Sequence, residues 1–305
     1  MTRCGLPVQT RLNKQHPSAF VHQNKKWQVK YPLLLHLEPY GMSKEVTDII
    51  IIGTGNVSYH LTRVLLQAGL RISRVIARTS ASARKFNRDL GVSTASSSWQ
   101  PGQADLYILA VNDDSLKEAA ANYNFNDHLV VHTSGSLPLD ILKGSSANTG
   151  VLYPLQTLSY GKDVDFRAIP ICIEANSTEN ARVLSRLAGK ISDNVRHFDS
   201  DQRFIIHLAA VFSSNFSYHM YTLASKILGH NHIDPEILRP LILETARKGS
   251  EFAPGVRQTG PASRKDRRVI ELHLEQLKAD KEYVEIYKLL TKSIMRNHNN
   301  PKDEL

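Results

Sequence analysis

The first half of the chain is a series of short apolar runs, each closed by glycine or small polar residues. Thr47-Asp48-Ile49-Ile50-Ile51-Ile52 is almost wholly β-branched and apolar, as a strand buried on both faces should be. Gly53-Thr54-Gly55-Asn56-Val57-Ser58 follows, and His60 to Leu66 then has helical spacing ended by Gly69. Ile72 to Ala77, Asp105 to Val111 and Leu129 to His132 read as further strands, each followed by polar or small residues. Ile169 to Glu174 and Val195 to Phe198 read as later strands, with a helix from about Thr178 to Ile191 between them. Strands alternating with helices predict an α/β domain built on a parallel sheet.

From Asp199 the texture changes. Asp199-Ser200-Asp201 offers an N-cap, and one long helical pattern runs from Phe204 to Leu228. Further helices are predicted over Pro235 to Phe252, Asp266 to Ala279 and Lys281 to Asn297. No strand-like alternation interrupts them, so this is a separate all-α domain. The expected organisation is an N-terminal extension over 1–44, an α/β domain over 45–198, an all-α domain over 199–297 and a polar tail over 298–305. Residues 1–41 have no steady hydrophobic period, and the expectation for them is a disordered extension or an over-extended reading frame.

Composition narrows the picture. No apolar run is long enough to span a membrane, and Tyr31 to Leu35 is too short and too late for a signal peptide. The chain ends in Lys302-Asp303-Glu304-Leu305, an endoplasmic-reticulum retention signal by letter; without a signal peptide the expectation is coincidence and a cytoplasmic protein. Two cysteines predict neither a disulfide framework nor a structural zinc site, and no metal is expected. The net charge of +9 hints at nucleic acid, but residues 1–41 hold six basic residues against Glu38 alone. The remaining excess is scattered, without arginine-aromatic interleaving, so no nucleic-acid partner is expected.

The glycine-rich turn carries the chemistry. In a strand–turn–helix context Gly53 permits the tight turn and Gly55 lets the backbone approach a pyrophosphate, with Thr54, Asn56 and Val57 beside it. The helix N-terminus supplies unpaired N–H groups and a partial positive charge for that anion. Ser58 replaces the third glycine, still small enough for close helix–strand packing. This is the Rossmann fingerprint of a nicotinamide dinucleotide site. An NAD site places an acid at the end of the second strand, but here stand Arg78, Thr79 and Ser80, better suited to a 2′-phosphate; the expected cofactor is NADP rather than NAD. Val111, Asn112 and Thr133, at the carboxyl ends of later strands, complete the expected cofactor set.

Together these pieces resemble the proteins in which a Rossmann-like domain is joined to a C-terminal domain of unknown function. That group is related to the deazaflavin-dependent NADP oxidoreductases, pyrroline-5-carboxylate reductase and the 6-phosphogluconate dehydrogenase group. The matching stretches are Ile52 to Val57, Val131 to Ser136, Tyr153-Pro154-Leu155-Gln156-Thr157 and Thr259 to Asp266. The resemblance implies an NADP-dependent oxidoreductase acting on a small polar molecule in the interdomain cleft. It also implies a 6-phosphogluconate dehydrogenase C-terminal-like helical domain that pairs two copies into a homodimer. The last group carries a Lys-x-x-x-Asn pair on the first long helix of that domain. Here Asn215 takes the Asn position, but Val211 stands where the lysine would be. His207 lies one turn earlier, and on a continuous helix His207, Val211 and Asn215 share a face. The expected catalytic set is therefore His207 as acid, with Asn215 and Ser214 orienting and Arg264 as a substrate anchor. The missing lysine leaves a non-catalytic NADP-binding sensor or scaffold as the alternative.

Overall fold

The computed structural model describes residues 45–96, 103–251 and 258–297; the N-terminal extension and the C-terminal tail lie outside them. Eight strands form one sheet in the order β3-β2-β1-β4-β5-β6-β7-β8. They are β1 Asp48–Ile52, β2 Arg71–Ala77, β3 Thr94–Ser96, β4 Leu106–Leu109, β5 Leu129–His132, β6 Asn148–Pro154, β7 Ile171–Ala175 and β8 Val195–His197. All neighbours run parallel except β6 and β7. Helices α1 Asn56–Gln67, α2 Ser80–Leu90, α3 Asp113–Asn122 and α4 Thr178–Ile191 accompany the sheet.

Side chains alternate between the two faces of a strand, so β1 feeds two cores at once. Ile49 and Ile51 pack with Leu61 and Leu65 of α1 and with Leu184 and Leu187 of α4. Ile50 and Ile52 join Tyr107, Leu109, Leu116 of α3 and Phe125 on the other face. The continuous apolar run of β1 follows from this double burial. In-register pairing of Ile49 with Leu106 and Ile52 with Leu109 sets β1 beside β4, where the strand order reverses. The carboxyl ends of these two strands frame the crevice in which sheets of this kind hold ligands.

After β8 the described chain is helical. Asp199 caps α5, Ser200–Ala210, through a capping box: its side chain accepts from Gln202 N–H at 2.8 Å while Gln202 accepts from Asp199 N–H at 3.2 Å. The long helical pattern expected from Phe204 to Leu228 is present as continuous helix, made of α5, a π-helical stretch over Val211–Phe216 and α6, Ser217–His230. Hydrophobic periodicity cannot register this wider turn, because it changes angular spacing without changing composition. A 3₁₀ turn Pro235–Leu238, then α7 Arg239–Ser250, α8 Arg267–Leu277 and α9 Lys281–Asn297 complete the region. No helix of the described residues is long and apolar enough to cross a membrane.

This helical region buries little of itself. Among its described residues only Arg203, Leu223 and Ala262 are buried, while Phe204, Ile205, Phe212, Leu241, Leu243 and Leu289 are among its exposed large apolar side chains. Its attachment to the sheet is polar. Arg203, one turn into α5 and 1% exposed, pairs with Glu174 of β7 and donates to the Leu137 carbonyl. Ser200 donates to the Glu174 carboxylate at 2.9 Å and accepts from Leu139 N–H at 3.0 Å. Removing one partner of a buried ion pair leaves the other charge uncompensated. Arg203→Met or Glu174→Met alone should therefore lower the unfolding free energy by about 3–5 kcal/mol in urea titrations, and the double replacement should recover most of the loss. Single losses under about 1 kcal/mol would show the pair to be solvated.

Candidate functional site

A cleft of about 1060 Å³ runs along the carboxyl edge of the sheet from the end of β2 to the start of the helical region. The turn between β1 and α1 forms its floor. Gly53 has φ +117°, and a Cβ there would overlap the Ala110 carbonyl, so only glycine fits. Gly55, the N-cap of α1, has open space where a Cβ would stand, which leaves the helix N-terminus accessible. Ser58 is fully buried and donates to the Gly53 carbonyl at 2.7 Å, so the residue in the third glycine's place fastens the turn. Thr54, Asn56 and Val57 line the cleft as expected from the sequence.

At one end Arg78 and Thr79 line the cleft; Ser80 does not, and Ser82 takes its place. Thr79 caps α2, its hydroxyl accepting from Ser82 N–H at 3.2 Å. Arg78 is exposed and, among the described residues, unpaired. A free guanidinium beside a helix N-terminus is a receptacle for a phosphate group. In the middle, Val111 and Asn112 line the cleft, and Asn112 caps α3 by accepting from Ser115 N–H at 2.9 Å.

At the other end the loop after β5 presents Thr133, Ser134, Gly135 and Ser136. Hydroxyls fix this loop: Ser134 accepts from Ser136 N–H at 3.1 Å and Leu137 N–H at 3.0 Å, and Ser136 donates to Asp113. Beneath it His132 is fully buried and accepts from Ser134 N–H at Nδ1, 3.1 Å away. Burial lowers its pKa to about 3; nearby Arg203 adds to this, and the Pro138 carbonyl and Asp113 oppose it. Facing this loop are His207 of α5 and Tyr153 of β6, whose hydroxyl lies 3.1 Å from His207 Nδ1. Tyr153 is not among the residues expected for the site. It stands at the carboxyl end of β6, parallel to β5, which places it on the ligand edge of the sheet.

Among the described residues of the helical region, His207 alone lines the cleft. Ser214 and Asn215 fall in the π-helical stretch and Arg264 on an exposed turn, all outside the lining. Val211 and Asn215 both fall in the π-helical stretch, and neither lines the cleft with His207.

The strand–turn–helix floor, the accessible helix N-terminus and the exposed arginine fit the phosphates of a dinucleotide. These features define an α/β dinucleotide-binding fold with a helical C-terminal region. Residues 48–135 match the family described as NADP oxidoreductase, coenzyme F420-dependent, and residues 169–294 match a domain of unknown function, DUF2520. A candidate NADP oxidoreductase of Bacteroides fragilis is 39% identical, with 82% of this chain and 98% of that one covered and a TM-score of 0.78. The chain belongs to the family of that protein. A Thermotoga maritima protein is 24% identical over 82% of this chain and 98% of its own, with a TM-score of 0.62. An imine reductase of Myxococcus stipitatus, solved with NADP⁺, is 13% identical over 82% and 93%, with a TM-score of 0.59. These last two share the fold. No curated protein matches the chain.

The buried His132 makes the site acid-sensitive. In the unfolded chain it takes up a proton near its ordinary pKa of 6.5, and in the folded state only near 3. Between these values the unfolded state binds more protons, so stability falls as pH drops, by up to about 1.4 kcal/mol per pH unit. Urea titrations from pH 7 to pH 4 should show a steeper loss in the native chain than in His132→Asn. Parallel profiles would place the acid sensitivity elsewhere.

Proposed function

We propose that this protein is an NADP-dependent oxidoreductase that transfers a hydride to or from a small polar substrate held at the His207 end of the cleft. The observation that carries the reading is the continuity of one cleft from the Arg78 receptacle, over the Gly53–Val57 turn, to the Tyr153–His207 pair. Arg78 and the N-terminus of α2 would hold a 2′-phosphate, the N-terminus of α1 the pyrophosphate, and Val111, Asn112 and Thr133 the nicotinamide half. When bound, NADPH supplies a hydride and leaves as NADP⁺. His207 then exchanges a proton with the substrate atom next to the carbon that accepts the hydride. The 39% identical Bacteroides fragilis relative, a candidate NADP oxidoreductase, supports this class of reaction. Val211 in the lysine position favours the alternative, an NADP-binding sensor without turnover. Oxidation of NADPH in the presence of a panel of ketones, imines and a deazaflavin separates the two.

The cofactor assignment has a direct test. Calorimetry should show tighter binding of NADPH than of NADH, and Arg78→Glu should weaken NADPH on the order of 10- to 100-fold while sparing NADH. Equal affinities in the native chain would overturn the assignment.

The second copy of the chain is the proposed partner. Among its described residues the helical region buries three and exposes a run of Phe, Ile and Leu, a surface that marks an interaction site and that pairing two copies would cover. Light scattering at micromolar concentration should give twice the chain mass, and Phe212→Asp with Leu243→Glu should shift it towards the monomer. A native monomer would contradict the pairing.

A further inference from the structure

At the end of the cleft the Tyr153 and His207 rings stand edge to face, with centroids 6.0 Å apart and Oη 3.1 Å from Nδ1. That separation is a hydrogen bond in which either atom can donate, and the tautomer of His207 decides which one does. The backbone of Gly135 closes the same side of the imidazole. A Cβ there would lie 2.7 Å from His207 Nδ1 and 2.8 Å from Tyr153 Cζ. Nδ1 is thus engaged by the phenol and shielded by the glycine, and Nε2 is the ring nitrogen left to the cleft. Burial, reinforced by Cys172 and opposed by Arg203, pushes the Tyr153 hydroxyl up to about 12. The phenol therefore stays neutral throughout the ordinary pH range and can accept a proton bond without itself ionising.

We propose that Tyr153 is a positioning residue whose Oη accepts the Nδ1 proton of His207, so that the proton exchanged with substrate is always the one on Nε2. The inference rests on the hydride-transfer reading above. In the reducing direction the Nε2–H bond of the imidazolium breaks, and its proton goes to the carbonyl oxygen or imine nitrogen whose carbon has gained the hydride. The ring that remains is neutral, with its proton still on Nδ1 and still donated to Tyr153. In the oxidising direction the bare Nε2 takes the proton of the alcohol or amine. The Tyr153 contact survives both states, so the ring keeps one orientation throughout. This is the role that a buried carboxylate plays for the histidine of hydrolase triads, here filled by an uncharged group. Gly135 belongs to the same device, because any side chain there would push the two rings apart.

The tautomer is observable without a substrate. In the full chain labelled with ¹⁵N-histidine and free of cofactor, His207 is assigned by the signals lost in His207→Gln. The neutral ring should show a protonated Nδ1 and a bare Nε2. Tyr153→Phe keeps the aromatic ring and should move His207 towards the Nε2–H form that free histidine prefers in water. A native His207 carrying its proton on Nε2 overturns the proposal, as does a Tyr153→Phe protein of unchanged melting temperature with an unchanged tautomer. The native spectrum decides the matter even where the variant does not fold. Calorimetry with NADPH on the same samples separates the two levels of inference. Failure to bind overturns the hydride-transfer reading, and the proton exchange with it, whatever the tautomer. An Nε2–H ring in a protein that binds NADPH overturns the role of Tyr153 alone.

Discussion

The buried pair of Arg203 and Glu174 is the contact on which the geometry of the cleft depends. Glu174 belongs to β7, Arg203 to the first turns of α5, and Leu137, whose carbonyl Arg203 also holds, to the loop that follows β5. One guanidinium therefore ties together the sheet, the loop carrying Thr133 to Ser136 and the helix carrying His207. His207 is one helical turn beyond Arg203, so the angle at which α5 leaves the sheet decides where the imidazole lies. A hydrophobic contact would tolerate sliding; a fork-shaped donor held by a carboxylate and a carbonyl fixes direction as well as distance. Burying this charge costs desolvation energy that an apolar packing would avoid, and what it secures is orientation.

The rest of the cleft offers an exposed cation at one end, while at the other the charged groups are already engaged by the protein. Arg78 and the N-terminus of α2 are exposed and point to phosphate. Around the Tyr153–His207 pair the loop hydroxyl of Ser136 is held by Asp113, and Arg203 lies close enough to act on Tyr153. His132 lies buried below the loop, uncharged, and acts as an acceptor for Ser134 N–H. Neutral at that depth, the ring adds no further charge beside Arg203 and stiffens the loop through Ser134.

Much of this was legible in the residues. The isoleucine run of β1 and the glycine turn after it announce a strand buried on both faces and a phosphate-binding helix start, because few other contexts tolerate that sequence. Helix α4 has the expected bounds, Thr178–Ile191, since Ser177 caps it and its apolar spacing is regular. Strand β6 was not legible: Gly150 and Pro154 dilute its pattern, and its place is set by pairing with β5 and β7. Tyr153 was missed as a site residue for that reason, although its motif was noted. Strand β3, three residues long, is too short to leave a pattern. The π-helical stretch was hidden because it preserves helical composition while changing the turn. What local chemistry dictates could be read; what depends on which distant segment lies alongside could not.

The central claim is that one dinucleotide spans the cleft with its phosphate at Arg78 and its nicotinamide at His207. The most direct measurement is a crystal structure of the full chain with NADP⁺. The account predicts the 2′-phosphate against Arg78 and the N-terminus of α2, the pyrophosphate over Gly55, and the nicotinamide ring along Thr133 to Ser136. Its C4 should face His207 across room for a single carbonyl or imine, on the order of 6 Å. A nicotinamide at the Arg78 end, or a cofactor bound away from the Gly53–Val57 turn, would contradict it.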